Sequence, residues 1–344
     1  MRDPILLKKI EQEVQAGNVV ASEWEGLTVY KYTQECHHEN RWNDINRQCR
    51  GIILDKHGRV FARPFSKFFN LNEVAETMYD QLPWDCGVQV FEKLDGSCGT
   101  LFRHPQHGVC LSTPGSMQSD QAKMGTEILR RSSWGTNFMA DLPDDCTPIF
   151  EIIYPENRIV VDYRGREDLV LLSIFQLNGE EWHQNRVDAI AEKHGITRPR
   201  RFDLDVTDIQ FQDNEEGYVF LFDNGLRVKS KSPTYLRIHR LLNYLSPKGV
   251  IDLIRGHEYR TTLAQLPDSI QQDFDDIRAY VQTMFDETRN KVEAFHLAVP
   301  QGTRKDQAMW ITGCVERELQ GLVFAKLDNK DITESLWRVV INTL

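Results

Sequence analysis

A chain of 344 residues is long enough for two domains with a core each, and its 40% hydrophobic and 27% charged content is that of an ordinary globular protein. No run approaches the ~18 to 20 apolar residues of a membrane span, and the opening MRDPILLKKIEQEVQ mixes charge with short apolar pairs where a secretion signal needs an unbroken apolar core. The formal net charge of −10 is awkward for a nucleic-acid partner, yet an acidic chain can still present a basic groove, because local clustering governs phosphate binding.

Up to about Leu226 the chain alternates short apolar runs with turn signals. Leu27–Tyr32, Gly51–Leu54, Gly87–Leu94, Pro148–Ile153, Asp168–Leu177 and Gly217–Phe222 are rich in β-branched and aromatic residues and read as strands. Asp223-Asn224-Gly225 joins the last of them to LRVKS as a hairpin. Ser119 or Asp120 can cap a helix through Arg131, and Asn185–His194 reads as another. After Pro233 the pattern turns helical. Tyr235–Leu245 has helical spacing, and Ile270, Phe274, Ile277, Val281, Met284, Val292 and Phe295 draw one apolar stripe. Shorter helices follow around Asp306–Leu327 and Ile332–Ile341. The expected fold is α+β: residues 1–240 form one domain and 241–344 an all-helical second.

The seven cysteines, Cys36, Cys49, Cys86, Cys98, Cys110, Cys146 and Cys314, are odd in number and contain no CxxC pair, which argues against a disulfide framework and a structural zinc site. Cys36, His37 and His38 read as solvated loop residues. With no export signal, a cytoplasmic protein is expected, in a host cell if the source is viral.

The sharpest chemical signal is Lys93-Leu94-Asp95-Gly96-Ser97 at a strand end, where Gly96 lets the backbone approach a nucleotide closely. By itself it fits a solvated turn lysine equally well. Glu151, in the strand PIFEII, alone reads as an edge-strand carboxylate, and Glu216 as a turn residue. Lys229 and Lys231 alternate, so they share one side of a strand that in most proteins faces water. Together, three lysines and several carboxylates on strands can line a cleft that holds a triphosphate, divalent ions and an attacking amine.

The order KLDGS, FEIIYPENRIV, EGYVF, VKSKSPTY resembles the motif series of covalent nucleotidyltransferases, and most closely the RNA ligase 1 family of phage T4 type. Arg50-Gly51-Ile52-Ile53, the segment Arg63–Glu73 and Pro155–Val160 point to that branch. The resemblance implies antiparallel, ATP-grasp-like sheets with flanking helices. It implies an ATP-dependent RNA ligase in which Lys93 takes AMP from ATP, AMP passes to an RNA 5′-phosphate, and a 3′-hydroxyl displaces it. It places Arg50, Lys67, Phe69, Glu92, Asp95, Gly96, Glu151, Lys229 and Lys231 at the nucleotide, and Glu216 and Glu151 at Mg2+ or Mn2+. Tyr235 matches a family position as well as it matches packing at a helix start.

The lysine expected before Gly115-Ser116 is replaced by Pro114, so another cation must stand in for it or nucleotide binding is weaker. The implied partner is RNA with 5′-phosphate and 3′-hydroxyl ends, nicked tRNA included, recognised by the helical region, with Arg237, His239 and Arg240 as its basic cluster. No GxxxxGK[ST] loop occurs, so end-healing by a kinase-phosphatase falls to a separate partner. DNA ligases and capping enzymes share the lysine chemistry but continue into a strand-rich OB fold, against which the helical tail argues. A non-catalytic RNA-binding protein that kept the cleft is the other alternative.

Overall fold

The computed structural model describes residues 1–203, 210–212 and 214–344. Its strands in chain order are β1 (Val19–Trp24), β2 (Leu27–Tyr32), β3 (Arg50–Asp55), β4 (Val60–Ala62), β5 (Phe69–Asn70), β6 (Val88–Lys93), β7 (Ser97–His104), β8 (Gly108–Ser112), β9 (Cys146–Ile153), β10 (Asp168–Gln176), β11 (Arg201–Phe202), β12 (Gly217–Phe222) and β13 (Arg227–Lys231). They form three sheets, ordered β1-β2-β3-β4, β10-β9-β7-β8 and β11-β6-β12-β13-β5. The pairings are antiparallel except that β13 runs parallel to β5, with Lys229 opposite Asn70. The fold is thus α+β, with the sheets first and a mostly helical region after them.

The chain divides into two compact units, Met1–Tyr235 and Leu236–Leu344. The division falls inside the helix Pro233–Leu241, slightly ahead of position 240.

In the first unit β9 is buried from Thr147 to Ile153, which explains its continuous apolar run. Phe150 and Ile152 pack with Leu101, Leu111, Ile128, Leu129 and Phe138, while Ile153 joins Leu94 and Val170. Each such side chain contributes about 1.5–3 kcal/mol of burial. The helix Asp120–Arg131 starts where expected, with the Ser119 hydroxyl accepting from the Ala122 N–H at 3.2 Å. The Leu111 N–H on β8 donates to the Thr126 hydroxyl at 2.9 Å, tying that helix to the sheet edge.

The Asp223–Gly225 turn closes the β12–β13 hairpin with only Gly225 at positive φ, +87°. It is therefore a three-residue loop in which the glycine takes the left-handed position, and Asn224 keeps a negative φ. A helix at Pro4–Gln15, capped by Asp3, lies where the sequence offered only mixed charge and apolar pairs; it buries Leu6, Leu7 and Ile10. Cys36 is fully buried in a short helix, Gln34–His38, and His37 is half-buried with its ring 5.8 Å from that of Trp42, so only His38 of that trio is a solvated residue.

In the second unit the long helix Asp268–Ala298 is joined by Pro247–Arg255, Tyr259–Leu263, Arg304–Cys314, Arg317–Leu327 and Thr333–Thr343. Its buried stripe is Ile270, Phe274, Val281, Phe285 and Val292. Ile277, Met284 and Phe295 are only partly covered. Phe285 takes the place expected of Met284 because its ring meets Trp337 at 4.3 Å. The helix predicted over Tyr235–Leu245 ends at Leu241 and tightens into a 3₁₀ turn at Leu242–Tyr244. Among the described residues no helix is long and apolar enough to cross a membrane.

Candidate active site

Lys93 is the last residue of β6, and the chain leaves that sheet through Leu94–Gly96 to enter the next at Ser97. The crossover places the lysine where strands of two sheets approach. Gly217 on β12 stands in register with Lys93 on one side and Lys231 on the other. It has φ +145°, and a Cβ there would lie 2.0 Å from the Ser230 carbonyl oxygen. With no side chain between them, the two lysines converge on the residue before it. The Glu216 carboxylate receives Lys93 Nζ at 2.7 Å on Oε2 and Lys231 Nζ at 2.9 Å on Oε1, and it is 3% exposed.

Glu151, on the central strand β9, accepts the Gly96 N–H at 2.9 Å. A Cβ on Gly96 would meet the Ile152 carbonyl oxygen at 2.5 Å, so this close approach requires glycine. Burial raises the Glu151 carboxyl to about 7; Lys93 and Arg50 oppose that rise, and Glu216 adds to it. Burial lowers the Lys229 ammonium to about 7, and the cations Lys67, Lys93, Arg50 and Lys231 push in the same direction. Burial also lowers Lys67, against the pull of Glu73 at 3.4 Å. Arg50 opens β3 with its guanidinium 5.5 Å from the Phe68 ring centroid and its Nη1 buried without a hydrogen-bond partner. Such a set of cations with depressed or unsatisfied charge is suited to a polyanion.

Of these groups, Lys93, Glu151 and Arg50 line a cleft, while Glu216, Lys229 and Lys231 are not part of its lining. Arg50, Glu92, Lys93, Cys98 and Glu151 line it together with the apolar side chains Phe65, Phe68, Phe91, Leu172 and Val219. The remaining sequence-predicted residues sit differently. Glu92 lines the cleft but commits its carboxylate to Arg200, at 3.0 Å to each oxygen. Asp95 is 2% exposed, and its Oδ2 accepts the Val160 and Val161 N–H groups at 2.8 Å while its Oδ1 accepts the Tyr235 hydroxyl at 2.8 Å. It braces the loop after β9 rather than facing a nucleotide, and Tyr235 is the buried partner in that brace.

Phe69 is 1% exposed beneath the Lys67 ammonium, whose Nζ is 4.2 Å from its ring centroid. Its neighbour Phe68 is the one that lines the cleft, since adjacent residues in extended backbone face opposite ways. Lys67 lies beside that wall, not in it.

Sequence reasoning also missed Arg227, two residues before Lys229 and on the same face of β13, where it lines the cleft. The alternation that paired Lys229 with Lys231 extends one step further back. At the position of the missing lysine, Pro114 packs against Gly51, where a Cβ would lie 2.9 Å from the proline Cα. Lys31, opposite Arg50 in the β2–β3 register, brings its side chain to the adjoining Gly115: its Nζ would stand 3.6 Å from a Cβ there.

The family model described as RNA ligase, of the phage T4 type 1 branch, matches residues 48–235. A protein named as an RNA ligase in Thermovibrio ammonificans is 34% identical over 215 residues, 58% of this chain and 55% of its own length. An RNA ligase of Rhodothermus phage RM378 is 22% identical over 300 residues, 66% of this chain and 67% of its own. The chain therefore spans little more than half of the first of these relatives. Two solved structures share the fold over 94% of the chain, each with a TM-score of 0.52 and 12% identity. One is described as an ATP-dependent DNA ligase from Aquifex aeolicus, 99% covered, and the other as an archaeal ATP-dependent RNA ligase, 96% covered. Both likenesses show the fold alone. The family model's match over more than half of the chain makes it a member of the RNA ligase family.

Proposed function

We propose that the protein is an ATP-dependent RNA ligase in which Lys93 becomes bonded to AMP and passes it to an RNA 5′-phosphate end for joining to a 3′-hydroxyl. The observation that carries the proposal is the convergence of Lys93 and Lys231 on Glu216 beside Glu151. In the first step a P–N bond forms between Lys93 Nζ and the α-phosphorus of ATP, the bond to the β-phosphate oxygen breaks, and pyrophosphate leaves. Glu216 Oε2, at 2.7 Å, is the nearest acceptor for the proton Lys93 must lose. Lys231, Lys229 and Arg50 neutralise the charge that develops on the phosphate oxygens.

Mg2+ or Mn2+ would fit the carboxylate of Glu151, whose charged form is disfavoured by burial. Glu216 fits less well, with both oxygens already on ammonium groups. Among the described residues no group of three or more His, Cys, Asp or Glu could hold a metal, so the triphosphate itself would supply the other oxygen ligands. Such an ion would supply screening of the phosphate charge.

Lys31 supplies the positive charge that Pro114 cannot. The unit Leu236–Leu344 docks structured RNA, nicked tRNA being the natural class, after a separate kinase-phosphatase has prepared its ends. Wild type and Lys93→Ala incubated with ATP labelled at the α-phosphate, then denatured, test the reading: label is expected on wild type alone. Retention of label by the variant, or label from GTP in place of ATP, overturns it. Sealing of nicked DNA in preference to RNA assigns the chemistry to DNA repair.

A further inference from the structure

At the end of the cleft away from the reacting lysine, one arginine is held as if to meet a ligand. The face of the third sheet repeats in three rows: Lys93–Gly217–Lys231, then Phe91–Val219–Lys229, then Gln89–Leu221–Arg227. Lys231 and Arg227 are four residues apart on one strand, roughly 13 Å, so the face extends from the attacking amine over a distance that a nucleoside can span. The first row is charged and the second is apolar, apart from Lys229. In the third row Arg227 is 12% exposed and lines the cleft with Leu172, Pro199 and Gln184.

The Arg227 guanidinium is fixed on two sides. It lies 4.5 Å from the Phe65 ring centroid and 5.9 Å from that of Phe68, and its Nη2 donates to Glu181 Oε1 at 2.6 Å. Glu181 is in turn fixed by Gln184 Nε2 at 3.1 Å, and Arg198 Nη2 holds Gln184 Oε1 at 2.7 Å. Arg198 donates to the backbone carbonyl of Leu172 at 2.8 Å and to Asp188 at 2.8 Å. Four side chains are thus committed to keeping one arginine still. Among the described residues its guanidinium makes no other hydrogen bond, which leaves donors for whatever enters. The walls at this end are mostly apolar, which suits a planar base that offers acceptors to the guanidinium.

Resting on the reading of Lys93 as the AMP carrier, we propose that Arg227 recognises the nucleobase of the bound nucleotide by donating to N1 or N7 of the purine, with Glu181 as the residue that positions it. A guanidinium held by a carboxylate and an aromatic face is pre-organised, so little is lost when the base arrives.

Single-turnover labelling of Lys93 with ATP, 7-deaza-ATP and 1-deaza-ATP measures this on the full chain. Removing the acceptor that Arg227 reads is expected to raise the apparent KM of wild type by about tenfold or more with the maximal rate little changed. Arg227→Ala is expected to raise the KM for ATP by a similar factor and to become indifferent to that same deaza substitution. Glu181→Gln is expected to show an intermediate loss and to keep a partial preference. Wild type that treats ATP and both analogues alike overturns the proposal without touching the chemistry of Lys93, as does an Arg227→Ala protein that labels like wild type. If Arg227→Ala does not fold, the two analogues on wild type still decide. Absence of any label from ATP on wild type is the separate failure of the ligase reading.

Discussion

Lys231 Nζ stands 2.9 Å from Oε1 of Glu216, the carboxylate whose Oε2 holds Lys93 at 2.7 Å. One negative charge thus balances two ammonium groups, one of which is the proposed nucleophile. Glu216→Gln keeps the shape and removes that charge. The rate of Lys93 labelling is expected to fall at least about hundredfold, because two charge-assisted hydrogen bonds are weakened at once, while the melting temperature moves by only a few degrees. A variant that labels within a factor of a few of wild type would show that this carboxylate does not organise the amine.

Gly96→Ala puts a methyl group 2.5 Å from a backbone carbonyl oxygen on β9, which no rotamer change can relieve. The crossover between the sheets must shift, and the Gly96–Glu151 hydrogen bond goes with it. Roughly 1–3 kcal/mol of stability is expected to be lost, together with labelling of Lys93. Denaturant unfolding and the labelling assay on one preparation read both effects, and unchanged values of both refute the packing argument.

Lys229, lowered to about 7, is mostly neutral at pH 8 in the nucleotide-free cleft. A triphosphate beside it favours the charged form and raises its proton affinity, so nucleotide binding at pH 8 is expected to take up a proton; at pH 6 the amine is already charged and uptake should vanish. Titration calorimetry of ATP binding in buffers of different ionisation enthalpy measures the uptake, with Lys229→Gln as the control in which it is absent. A buffer-independent enthalpy at pH 8 would count against the assignment.

Glu151 rises from 4.5 to about 7, so between those pH values the folded chain keeps a proton that the unfolded chain has released. Its contribution to stability is therefore full below pH 4.5 and lost as the pH rises through 7. Glu151→Gln cannot ionise. It is expected to unfold at nearly the wild-type urea concentration at pH 5, and at pH 8 to be more stable than wild type by as much as roughly 3 kcal/mol. Equal differences at both pH values would falsify the burial account.

Removal of residues 246–344 leaves the clusters around β3, β9 and β12 intact, since each is built within Met1–Tyr235. The shortened protein is expected to fold and to label Lys93, but to lose preference for nicked tRNA over a linear oligonucleotide. Loss of the cooperative melt instead would make the helical unit a support for the first unit and not a reader of RNA.

Much of this architecture is legible in the sequence because its strands are short and apolar on both faces. β9 and β12 announce themselves as PIFEII and GYVFLF, and their turn residues are equally plain. Lys93, Glu151, Glu216, Lys229 and Lys231 are legible as a set because each lies next to such a strand. What the sequence hides are choices of side-chain direction. Phe68 and Phe69 are equivalent in composition, and only the pairing of β5 with β13 decides which faces the cleft. The resemblance puts Asp95 at the nucleotide, yet the buried N–H groups of Val160 and Val161 claim its Oδ2, a demand that arises 65 residues downstream. Arg227 was hidden behind the stronger signal of the two lysines that follow it.

The bridge made by Glu216 also sets an order of events. An amine bonded to phosphorus carries no positive charge, so under the proposed loading of Lys93 the carboxylate would lose one of its two counter-charges and keep Lys231. The pocket is then one positive charge poorer and one phosphate richer, a state that repels a second triphosphate. On that reading, the residues that receive the first nucleotide become a latch against the next and hold the adenylate until an RNA end collects it.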